Sequence, residues 1–163
     1  MLADRRIELA FEAYGSGKRG PDFTITFRGA PSFDLEVTRL RRDVAPGVLG
    51  ASLLGKLRQL SPSTPNAVLF STRGPAADQV DIDAAVRGLR SRADAKDEDF
   101  FTARGFIGSR GFYERYLRLS AVFVSAEGAA GKPTATLWLN RSARIAMPEQ
   151  AARACLRALG DDV

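Results

Sequence analysis

A chain of 163 residues, 45% apolar and 26% charged, has enough hydrophobic content for one independently folding core and too balanced a composition for a disordered or membrane-embedded chain. Histidine is absent, which excludes imidazole-based triads, HNH-type nuclease chemistry and histidine-rich zinc sites, and a single cysteine excludes a disulfide framework or a cysteine zinc cluster. The net charge of +5 favours an anionic partner such as nucleic acid, and 20 of the 24 basic residues are arginine, whose planar fork matches phosphate, although an arginine-biased genome accounts for the same count.

In chain order, residues 4–14 are expected to form a helix, with Asp4 as its cap, Ile7, Ala10, Phe11 and Tyr14 on one face, and Glu8 and Glu12 four apart on one side. Charged residues where a signal peptide would need an apolar run, and no apolar run long enough to span a bilayer, lead us to expect a cytoplasmic protein with no membrane partner. Gly15, Gly17 and Gly20 break the helix around a basic loop that lacks the spacing of a P-loop. Two strands follow. Phe23, Ile25 and Phe27 alternate with Asp22, Thr24 and Thr26, and Phe33, Leu35 and Val37 alternate with Asp34, Glu36 and Thr38. Period-2 alternation puts the apolar set on one face of a hairpin and the acids on the other.

Beyond Pro46 and Gly47, a helix over 48–60 carries Leu49, Leu53, Leu57 and Leu60 as a core stripe flanked by Lys56 and Gln59. Residues 66–72, NAVLFST, read as a strand covered on both faces, so strand, helix and strand imply a right-handed crossover. A helix is expected over 78–92. Residues 93–118 mix aromatics with Arg104, Arg110, Arg115 and Arg118 and read as a long insertion or loop, whose aromatics either anchor it to the core or stack on bases. Strands over 119–126 and 134–140 should pair as a hairpin, and a helix over 148–159 would pack Ala151, Ala154, Cys155, Ala158 and Leu159 on the sheet. The expected fold is a single α/β domain over 1–163, with a mixed sheet of about five strands flanked by helices.

The chemistry-bearing residues are the acids of the hairpin. Phosphodiester cleavage needs a divalent cation to neutralise phosphate charge and acidify a water, and magnesium takes one or two carboxylates with several waters, which Asp22 and Glu36 offer. Acids on the outer face of a hairpin also serve simply as solubilising residues.

The order of elements over about residues 7–70, with Pro21-Asp22 as one half-motif and Glu36-Val37-Thr38 as the other, resembles the PD-(D/E)XK superfamily, the restriction-endonuclease-like fold. That resemblance implies Mg²⁺ (or Mn²⁺) held by Asp22, Glu36 and the backbone carbonyl of Val37. It also implies Glu8, or less well Glu12, as an accessory acid, and Asp34 as an extra ligand or a supporting acid. Thr38 stands where the family carries lysine, and threonine offers no charge. Some members supply the lysine from the following helix, which makes Lys56 the third catalytic candidate, with Gln59 to orient a phosphate or water. Arg39, Arg41, Arg110 and Arg115 are the candidate nucleic-acid contacts. The leading expectation is a metal-dependent nuclease acting on DNA or RNA. Its alternatives are a catalytically silent nucleic-acid- or protein-binding relative and an unrelated α/β interaction domain. A homodimer stays open.

Overall fold

Where a helix is expected over 4–14, the described residues Ile7–Phe11 form a strand; Asp4 and Tyr14 lie outside the described residues. The computed structural model describes residues 7–11, 20–27, 31–40, 45–73, 77–127 and 133–160. Within them β1 is Ile7–Phe11, paired antiparallel with β2 (Phe23–Phe27) from Ile7 opposite Phe27 to Phe11 opposite Phe23. Ile7, Leu9 and Phe11 alternate as a strand just as Ile7, Ala10 and Phe11 fit a helix. Pairing decides between the two periods, because β1 satisfies the backbone groups along the outer side of β2 and sets the Phe11 ring 5.3 Å from that of Phe23. Glu12 lies outside the described residues.

The acid-bearing strands form as read. β2 pairs antiparallel with β3 (Phe33–Arg39), with Thr24 opposite Asp34 and Phe23 opposite Leu35. Helix α1 (Pro46–Leu57) then crosses over to β4 (Asn66–Thr72), which runs parallel to β3 with Glu36 beside Val68. Proline in the first turn of α1 needs no backbone donor there. A 3₁₀ turn at Ala77–Gln79 leads into α2 (Ile82–Asp94), whose first turn is capped by the Asp81 carboxylate accepting from the Ala84 N–H at 2.7 Å.

Residues 93–118 are not a long loop. They fold as α3 (Glu98–Thr102) and α4 (Gly108–Tyr116), the first capped by Asp97, which accepts from the Phe100 N–H. Phe101 and Phe112 stack with ring centroids 4.9 Å apart and Phe106 meets both edge-on, so the aromatics build core. Glycine is required at 105 and 108, where φ is +78° and +59°. These positive-φ turns hide the helices from any search for a sustained period. β5 (Leu119–Glu127) then runs parallel to β4, and β6 (Pro133–Leu139) returns antiparallel to it.

The sheet therefore has six strands rather than five, in the order β1-β2-β3-β4-β5-β6. One face is covered by α1 to α4 over Val68, Phe70, Val122 and Val124. The other packs Ile25, Phe33, Leu35, Ala67 and Phe123 against Ala151 and Cys155 of α5 (Glu149–Leu159). Asp34, Glu36 and Thr38 share the parity of Val68 and Phe70, so they lie on the α1 side. Asp34 and Glu36 are 3% and 2% exposed, which removes the reading of the acids as a solubilising outer face. Among the described residues no helix is long and apolar enough to cross a membrane.

Candidate functional site

The buried carboxylate of Glu36, under a helix, needs a partner, and α1 delivers one. Leu49, Leu53, Leu54 and Leu57 are buried and hold the helix on the sheet, so Lys56, beside that stripe in the last turn, points its stem along the apolar surface and its ammonium down to the acids. Lys56 Nζ lies 2.8 Å from Glu36 Oε2 and 3.3 Å from Asp22 Oδ2. Asp22 immediately precedes β2, where the β2–β3 register carried one step further sets it across from Glu36. Its Oδ2 also accepts the Val37 N–H at 2.7 Å. The three catalytic candidates thus meet at one point, with Val37 brought in through its amide.

The charges do not balance. One ammonium faces two carboxylates, and Glu36 Oε1 is buried with no hydrogen-bond partner among the described residues. Burial raises the Glu36 pKa above its ordinary 4.5; the hydrogen bond and charge of Lys56 oppose the rise, and the neighbouring Asp22 charge adds to it. A buried acceptor without a donor costs about 1–3 kcal/mol, so this corner is suited to a further cation or proton. Asp22, at 41% exposure, opens it to solvent. A cleft of about 450 Å³ is lined by Gly20, Gly55, Arg58 and Gln59, chain neighbours of Asp22 and Lys56.

The other candidates are placed apart from this point. Asp34 accepts from Thr64 Oγ1 at 2.6 Å and Thr24 Oγ1 at 3.1 Å, so it ties β2, β3 and the approach to β4 through neutral hydroxyls. Thr38 is half-buried on the same face of β3, one alternation beyond Glu36. Gln59 is exposed just after α1, its N–H closing the helix on the Lys56 carbonyl. Glu8 sits on strand β1 rather than on a helix. It is exposed opposite Thr26, roughly 13 Å along β2 from Asp22 at ~3.3 Å per residue, and so is not brought to the site. Arg39 has the parity of Leu35 and Val37, which places it on the α5 side of the sheet, away from the acids. Arg41 lies outside the described residues. Arg110 pairs with Glu114 at 3.2 Å, and Arg115 sits half-buried at the end of α4.

No family model, curated protein or solved structure matches this chain. The site's reading therefore rests on its geometry. Among the described residues no group of three or more His, Cys, Asp or Glu side chains is arranged to hold a metal. A cation here would draw on two carboxylates, with backbone and water oxygens completing its shell. That is a donor set of the kind magnesium uses, and the orphaned, buried Glu36 Oε1 gives it an anchor. Sequence reasoning missed Arg58, which lines the cleft, and the Thr64 hydroxyl on Asp34. Thr24 was legible from parity alone, whereas Thr64, in a turn, gave no periodic signal.

Proposed function

We propose that this chain is a restriction-endonuclease-like domain of the PD-(D/E)XK type, which hydrolyses phosphodiester bonds of nucleic acid in the cytoplasm with Mg²⁺ or Mn²⁺. The observation that carries the reading is the convergence of Asp22, Glu36 and Lys56, with Lys56 Nζ within 3.3 Å of both acids. Thr38 lacks the charge of the motif lysine, and an ammonium from the next helix occupies the same electrostatic role. When bound, a divalent cation supplies charge neutralisation at phosphate and lowers the pKa of a water. Asp22, Glu36 and the backbone carbonyl of Val37 would hold it. Lys56 orients the two carboxylates and presents a positive charge to the developing phosphate charge, while Gln59 and Arg58 at the cleft bind the phosphodiester.

One observation favours a second reading, a catalytically silent nucleic-acid-binding domain. Lys56 already bonds both acids and so acts as an internal counter-cation. Calorimetric titration with Mn²⁺ and Mg²⁺, paired with cleavage assays on duplex DNA, single-stranded DNA and RNA, separates the two. The nuclease reading expects metal binding and cleavage by wild type, both lost in Asp22→Ala and Glu36→Ala. Wild type that binds nucleic acid but takes up no metal and cuts nothing is the silent relative.

A further inference from the structure

Arg118 stands at a junction. It follows α4, its N–H donates to the Arg115 carbonyl at 3.0 Å, and its own carbonyl accepts from Asn66 Nδ2 at 3.0 Å. Its Nη1 donates to the Leu60 carbonyl at 3.2 Å, just beyond the end of α1. One residue earlier, the Leu117 carbonyl accepts from the Arg144 N–H at 2.8 Å. Arg115, Arg118 and Arg144 are thereby tied to one corner from α4, the lead into β5 and the turn after β6.

We propose that Arg115, Arg118 and Arg144 form a phosphate-binding corner for the nucleic-acid strand that enters the Asp22, Glu36 and Lys56 site. The inference rests on the nucleic-acid reading above and adds where the flanking backbone lies. Backbone bonds bring three like-charged residues to one corner. Burial, then the charges of Arg115 and Arg144, lower the proton affinity of Arg118 against the opposing pull of Glu114. Glu114 is itself engaged by Arg110 at 3.2 Å. Among the described residues no ion pair involves Arg115, Arg118 or Arg144, and the buried Nε of Arg118 has no partner. A buried Arg118 Nε without an acceptor is unfavourable, and like charges gathered beside it favour an anion at this corner.

The geometry also points to a polyanion rather than an isolated small anion. Leu60, which Arg118 holds, is four residues past Lys56 and so lies no more than about 14 Å from it. At most about four nucleotides of a B-form strand span that distance at ~3.4 Å per nucleotide. Arg58 lies on the chain between the two points. Its guanidinium rests against Gly105, where an added Cβ would stand 3.0 Å from Arg58 Cζ.

The test is fluorescence anisotropy with labelled duplex DNA, single-stranded DNA and single-stranded RNA, in EDTA so that the strands stay intact. It compares wild type with the Arg115→Gln/Arg144→Gln double variant. Arg118 is left in place because its hydrogen bond to Leu60 is structural, and thermal unfolding verifies that the double variant folds. Arg157→Gln, on α5 across the sheet, controls for simple loss of net charge. For the preferred strand, the slope of log K against log salt should become shallower by about 1.8 on duplex or about 1.4 on single strands in the double variant, and affinity should fall; Arg157→Gln should keep the wild-type slope. If wild type binds and the double variant keeps its slope, or loses no more than twice what the single-charge Arg157→Gln loses, the corner is overturned while the nucleic-acid reading stands. If wild type binds none of the three probes, that reading falls first and takes the corner with it.

Discussion

At the scale of single residues, the balance between Asp22, Glu36 and Lys56 sets both stability and chemistry. Removing the ammonium leaves two carboxylates facing each other under a helix, and breaking a buried pair by deleting one partner costs about 3–5 kcal/mol. Lys56 is 17% exposed and Asp22 more so, and water screens part of that cost, so Lys56→Met should lose ~2 kcal/mol in urea unfolding at pH 7. Millimolar Mn²⁺ should restore much of the loss by replacing one cation with another. A variant as stable as wild type would mean that Lys56 is not the counter-charge. Glu36 makes the complementary case. Its pKa is raised on folding, so the native state holds that proton more tightly than the unfolded chain, and stability is lost as pH rises from 4.5 through the raised value. Glu36→Gln removes that loss. Its unfolding free energy should match or exceed that of wild type at pH 7, with the advantage shrinking as pH falls towards 4.5, and its metal binding should vanish. An advantage that grows on acidification would contradict the assignment.

At the scale of elements, what the sequence disclosed depended on whether a pattern was local. The period-2 alternation of β2 and β3 and the continuous apolar run of β4 are local, and each strand forms where it was read. Lys56 was legible as a flank of the Leu49, Leu53 and Leu57 stripe, and the resemblance suggested its role; only the docked helix aims it at the acids. β1 was not legible: five residues that satisfy two periods are assigned by their neighbour β2, and no pattern local to those five residues contains that neighbour. α3 and α4 were obscured by glycines at positive φ, and the burial of the acid face depends on a crossover helix whose docking is a tertiary fact. Asn66 is a further example. It looks like the ordinary start of a strand, yet its Nδ2 donates to the carbonyls of Ser61, Thr64 and Arg118 and its Oδ1 accepts from the Ser61 N–H. This side chain fastens the end of the α1 connection to the start of β5, next to Thr64 on Asp34. Asn66→Ala should therefore lose about 2–4 kcal/mol, as measured by denaturant midpoint. A loss below about 0.5 kcal/mol, the range of ordinary surface changes, would show the latch to be incidental.

At the scale of the whole molecule, the sheet separates two cores that each carry a natural reporter. Trp138, the only tryptophan, packs against the core beneath α1 to α4, and its Nε1 donates to Asp83 of α2 at 2.7 Å. Cys155, the only cysteine, is buried on α5 in the opposite core, and burial alone pushes its thiol up to about 11. A thiol in that state is protonated at neutral pH and shielded from reagents, so native protein should react with a thiol-specific dye only through opening. The two layers share β4 and β5, whose alternate side chains enter one core and the other: Val68 and Val122 on one side, Ala67 and Phe123 on the other. Loss of one layer exposes the back of the strands that the other needs, which should couple them into one transition. Trp138 fluorescence and pulsed labelling of Cys155 along a urea series should then give coincident midpoints. Labelling that precedes the fluorescence change would mean that α5 leaves the sheet on its own, with the Asp22, Glu36 and Lys56 face still folded. In that case the site would depend on the α1 layer alone.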